Sequence, residues 1–174
     1  MALKNVQFGL GKVAVERRIG ALDEKLRDGR LAVYHHVPST EDAAQRTPVQ
    51  RYIFHFYRGE LAEVEILYDT RVLRAEIGEE SFRKAIRSRY EAKEDFKFAP
   101  EWATETTTGR RWFNQDTGVE VIWVEDYSVN QGRLTVSWEK WQHALEQARK
   151  AYRRRQRLKE QEDDEEKEGV DIGI

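Results

Sequence analysis

The spacing of apolar positions changes several times along the chain, and each change marks an element. In "LGKVAVERRIGALDEKLRDGR", Val15, Ile19, Leu22 and Leu26 fall at i, i+4, i+7 and i+11. That is one stripe of a helix, with Asp28-Gly29 as its stop. "LAVYHHV" is β-branched and aromatic, so it reads as a strand that Pro38 ends, and "PSTEDAAQRTP" reads as a polar loop. In "VQRYIFHFYRGELAEVEILYD" two strand-like runs flank Arg58-Gly59-Glu60, which predicts a β-hairpin. Ala62, Val64, Ile66 and Tyr68 alternate there with Glu63, Glu65 and Leu67, so one face is expected buried and the other mostly wet.

The period returns to near 3.6 in "GEESFRKAIRSRYEAKE", through Phe82, Ile86 and Tyr90. After "DFKFAPEWATETT", three short runs separated by "QDTG" and "VNQG" predict a second set of antiparallel strands. A last helix begins near Ser137, with Trp141, Leu145, Ala148 and Tyr152 as its apolar stripe. Arg155 and Lys159 break that stripe, which places the end of the folded domain at Tyr152 and a charged, mobile tail over residues 153–174. The expected fold is α+β: antiparallel sheet with helices packed on one face and a long C-terminal helix. The segments "FHFYRGELAEVEILYD" and "IWVEDYSVNQGRLTVSW" share a loose pattern, which suggests two α-β-β-β halves, 1–70 and 71–152.

Composition narrows the picture. A chain of 174 residues with 39% hydrophobic and 11% aromatic residues is one domain with a real core. Charged residues reach 36% and mean hydropathy is -0.83, so the surplus charge belongs on surface helices or in the tail. A net charge of -2 draws the whole molecule to neither nucleic acid nor membrane. The absence of cysteine excludes disulfides, thiolate catalysis and cysteine zinc sites. No run approaches the roughly 18 apolar residues of a membrane span, and the opening residues have no apolar run of signal-peptide length. The expectation is a cytoplasmic protein that does not enter membranes.

Candidate chemistry is sparse. "FGLGKV" fails as a phosphate loop, because Val6 stands where the first glycine belongs and Val13 where the hydroxyl belongs. His35 and His36 are adjacent on a strand and point to opposite faces, while His55 lies on the next strand; no metal site is expected from them. No nucleophile elbow occurs, no cofactor is implied, and no motif identifies a family. Among the five tryptophans, Trp123, Trp138 and Trp141 fall on core faces. Trp102 and Trp112 lie in the polar stretch "EWATETTTGRRWFN" and are expected exposed, with Arg110 and Arg111 beside them for an anionic or aromatic partner.

The tail carries the other candidates. Arg149, Lys150, Arg153, Arg154, Arg155, Arg157 and Lys159 form a basic block, which "EQEDDEEKE" follows within a Debye length of roughly 10 Å. Val170, Ile172 and Ile174 form a short apolar tip on that acidic spacer, suited to docking in a groove or on a sheet edge. The sequence points first to a non-enzymatic protein–protein interaction module with a docking tail. The alternative is a nucleic-acid-associated accessory protein using residues 149–159, and the third reading is a small-ligand binder or enzyme around Trp102, Arg110 and Trp112. Pairing of edge strands with a second copy, giving a homodimer, is left open.

Overall fold

The computed structural model describes residues 6–38, 48–91 and 95–170. Its strands are β1 (Asp23–Asp28), β2 (Leu31–His36), β3 (Val49–Tyr57), β4 (Glu60–Asp69), β5 (Phe96–Phe98), β6 (Trp102–Ala103), β7 (Thr107–Asn114), β8 (Val119–Asp126) and β9 (Gln131–Trp138). Its helices are α1 (Lys12–Ile19), α2 (Thr70–Glu76), α3 (Glu79–Glu91) and α4 (Glu139–Val170). The strands form one antiparallel sheet in the order β1-β2-β3-β4-β9-β8-β7-β5, with β6 pairing β7 off that path. Two meanders therefore meet at a central β4–β9 pair. The two segments of similar pattern are the β3–β4 and β8–β9 hairpins, which lie side by side at the middle of the sheet.

Local rules account for most of these elements. Arg58 (φ 54) and Gly59 (φ 82) give the β3–β4 hairpin the two consecutive left-handed residues that a tight hairpin turn requires. The Asp69 side chain accepts hydrogen bonds from the Arg71 and Val72 backbone amides at 2.9 and 3.3 Å, capping α2, a helix without a clear apolar stripe of its own. The α+β class, the antiparallel sheet and the long C-terminal helix agree with the sequence pattern.

Two expectations need correction. The stripe through Val15, Ile19, Leu22 and Leu26 is not one helix: α1 stops at Ile19, Gly20 takes φ 99, and Leu26 lies on β1 opposite Val33. Val15 and Leu22 enter one core cluster and Leu26 packs at the other, so helical spacing was matched by residues that two elements gather separately. The second face of β4 is also drier than alternation suggests, with Glu63 only 8% exposed.

Two layers of helix explain that burial. On the first face, Val15 of α1, Leu73 of α2 and Phe82 and Ile86 of α3 cover Phe54, Phe56, Val64, Ile66, Trp112, Val121, Trp123 and Leu134. Within this core Tyr68, Phe82 and Trp123 pack edge-on with ring centroids 5.2–5.6 Å apart. Glu125, fully buried at this face, is held by Arg83 of α3 at 2.7 Å and Arg74 of α2 at 3.4 Å. On the second face, α4 lays Leu145 on Leu31, Tyr57 and Ala62, flanked by Trp141, Ala144 and Ala148. Among the described residues no helix is long and apolar enough to cross a membrane.

Candidate functional site

Strand register builds the second face row by row. One row runs His55, Glu63, Ser137, Glu120, Phe113; the next runs Ile53, Glu65, Thr135, Ile122, Arg111; a third runs Arg51, Leu67, Arg133, Val124. Helix α4 covers only the end of the sheet that carries the first row. The Trp141 indole and Lys140 both donate to Glu60 Oε2 at 3.0 Å, and the Gln142 amide donates to Glu120 and Ser137 at 2.8 Å. The rows beyond lie outside the helix, with Ile53, Thr135, Ile122 and Val124 half-buried and Arg51, Arg111 and Arg133 exposed.

At the border between covered and open face sits a cluster of buried charge. A register shift between His55 and Phe56, with Ala62 as the extra residue of β4, brings Glu63 opposite His55. His55 Nε2 lies 2.6 Å from Glu65 Oε1 and 3.7 Å from Glu63 Oε1. Arg149 of α4 binds Glu63 and reaches Glu65 at 3.9 Å, while Arg133 of β9 approaches Glu65 Oε2 at 3.4 Å. Burial pushes the Glu65 carboxyl up, but the His55 hydrogen bond and the His55, Arg133 and Arg149 charges outweigh it and hold the group below its ordinary range.

The ligand atoms of His55, Glu63 and Glu65 lie within 4.8 Å of one another, close enough to surround one cation. Two guanidinium groups already balance the two carboxylates, however. A divalent ion would have to displace Arg149 from Glu63, so the donor set fits an ion-pair latch better than a metal centre. A cleft of about 430 Å³ at the turn end of the sheet is lined by Lys12, Arg27, Arg30 and Arg58. Lys12 is paired with Glu16 and Arg27 with Glu24, which blunts its attraction for anions.

The residues singled out from sequence fall into separate places. Trp102 is 40% exposed, as expected. Trp112 is not: at 1% exposure it is core, because the alternation of β7 turns it to the first face opposite Val121. Arg110 shares that face, stacked 5.1 Å from the Phe98 ring and 3.7 Å from Glu101, whereas Arg111 points to the second face and pairs with Glu120. The strand therefore separates the two arginines instead of presenting them together.

The basic block is divided as well. Helix α4 continues through Tyr152, Arg149 and Arg155 bind Glu63 and Asp28 on the sheet, and Lys150 pairs with Glu146 at 2.7 Å. Arg153, Arg154 and Arg157 are exposed. The side chain of Val170, and Ile172 and Ile174 entirely, lie outside the described residues.

Sequence reading missed the His55–Glu63–Glu65 group. The hairpin turn was legible and brings β3 against β4, but the bulge that selects Glu63 was not, and nothing local announces Arg149 above it. No protein-family model, curated protein or solved structure matches the chain.

Proposed function

We propose that this protein is a non-enzymatic protein–protein interaction module that recognises its partner with the uncovered part of the second sheet face. The observation that carries the reading is the pair of rows left outside α4. Ile53 of β3, Leu67 of β4 and Ile122 and Val124 of β8 stand there among Glu65 and Thr135, with Arg51, Arg111 and Arg133 exposed beside them. Aliphatic side chains interspersed with exposed arginines suit a docking surface. These two rows hold no aromatic side chain, which argues against base stacking and for a protein partner with an acidic rim.

The margins of the sheet support recognition by the face in preference to strand addition. One edge, β1, reads "DEKLRD", and the other ends in the three residues of β5 and the two of β6. Charged and very short edges resist pairing with another chain. The competing nucleic-acid reading rests on Arg153, Arg154 and Arg157, since Arg149 and Arg155 are engaged on the sheet.

Capture from a nuclease-treated lysate tests the reading, using the full chain, an Ile122→Lys/Thr135→Arg variant with an unchanged melting temperature, and a truncation after Tyr152. A partner held by the full chain and the truncation but lost by the double variant is the expected result. Loss on truncation alone moves recognition to the tail. If nothing is held once nucleic acid is digested, the interaction-module reading falls.

A further inference from the structure

The outer side of α4 gathers positive charge on one face. Lys150, Arg153, Arg154 and Arg157 fall at i, i+3, i+4 and i+7, so they share one stripe of the helix. Arg154 stands opposite Leu145, the residue that α4 lays on the sheet, and all four cations are exposed. From Lys150 to Arg157 the stripe is roughly 10 Å long at ~1.5 Å per residue. Lys150 pairs with Glu146 at 2.7 Å. Arg153, Arg154 and Arg157 make no hydrogen bond or ion pair with any of the described residues.

The stripe repels itself. Lys150 meets Arg153 and Arg154, and Arg157 meets the same two, all at i,i+3 or i,i+4 spacing. Like charges so placed destabilise a helix. A ligand that brings several anions in a row relieves these contacts together.

We infer that this stripe grips the sugar–phosphate backbone of duplex DNA without reading its sequence. Each strand of a duplex offers one phosphate per ~3.4 Å of axis, so a stripe of roughly 10 Å meets about three of them. Guanidinium groups match phosphate oxygens in charge and in geometry. Gln147 and Gln161, exposed on the same stripe, add neutral donors at either end. The stripe has no aromatic side chain on which the bases of a single strand would stack, and no apolar one to enter a bilayer; Leu158 stands to one side of it. Glu160 and Glu162 follow within a Debye length and end the seat there, which keeps the contact short and weak. This surface lies apart from the uncovered sheet face, so the failure of one reading leaves the other standing.

Fluorescence anisotropy of a short labelled DNA duplex with the full chain tests the inference. Binding is expected at about 0.05 M salt with a Kd of about 10⁻⁴ M or tighter, and log K should fall against log salt with a slope of about −3. R153E/R154E/R157E should abolish binding in a folded chain. Arg154→Gln should reduce the slope by about 1, while R17E/R18E, which reverses two exposed arginines of α1, should bind like the wild type. No binding at low salt overturns the inference, and so does binding that survives the triple reversal or is lost equally in R17E/R18E. A single strand bound as tightly as the duplex overturns the choice of ligand. Capture by phosphatidylserine vesicles in place of DNA does the same, as does displacement of the duplex by polyglutamate at equal charge.

Discussion

At the scale of single residues, two glycines show how a missing Cβ is used differently on one sheet. A Cβ on Gly132 would stand 2.5 Å from the Trp123 ring, and one on Gly109 would stand 2.1 Å from Trp102. Distance alone ranks Gly109 as the worse site to fill. Burial reverses the order: Trp102 is 40% exposed and can swing into solvent, whereas Trp123 is 5% exposed and wedged between Tyr68 and Phe82. Gly132→Ala is therefore expected to cost about 1–3 kcal/mol by overpacking, and Gly109→Ala less, as measured by urea unfolding of the two variants.

Glu65 supplies a pH dependence at the same scale. Its pKa in the folded chain is depressed, so its contribution to stability is complete above the ordinary glutamate range and is lost as pH falls through the folded value. The melting temperature should decline below about pH 4.3, and Glu65→Gln should make that decline shallower. An unchanged slope in the variant would remove Glu65 as the source.

At the scale of elements, α4 is fastened at two points of unequal strength. Arg149 compensates two carboxylates that the sheet buries, so Arg149→Ala leaves Glu63 with an uncompensated charge. Breaking a buried pair costs about 3–5 kcal/mol, and the partly exposed guanidinium lowers that to roughly 2–3 kcal/mol. Arg155 pairs with Asp28 in a more exposed position, so Arg155→Ala should cost under about 1 kcal/mol. Equal losses in denaturant titrations would mean that the cluster does not hold the helix down. On the other face α2 and α3 are tied together through Glu125, which both reach with an arginine. The sequence does not announce this tie, because Arg74 and Arg83 meet Glu125 across about 40 to 50 intervening residues, beyond any local pattern.

At the scale of the whole molecule, the sheet is protected in layers from its centre outward. The β4–β9 pair has helices α1 to α3 on one side and part of α4 on the other, and strands flank it on both edges. Amide hydrogen exchange is expected to be slowest in β4 and β9 and fastest in β1, β5 and β6, since local opening follows burial and ladder position. Comparable protection in β1 and β4 would contradict this ordering.

Much of this architecture was legible without coordinates. Period-two alternation in β4, β8 and β9, the short hairpin turn at Arg58-Gly59-Glu60 and the return to a helical period in α3 depend on neighbours a few residues apart, and sequence alone determines such features. Only the tertiary structure decided that α1 yields to β1 after Gly20, that Trp112 is core and Arg110 is parted from Arg111, and that His55, Glu63 and Glu65 meet beneath Arg149. Those outcomes depend on which strand pairs with which and on the one face of the sheet that α4 crosses. The free energy of such long-range contacts is shared among residues far apart in the chain, so no local stretch of sequence carries it.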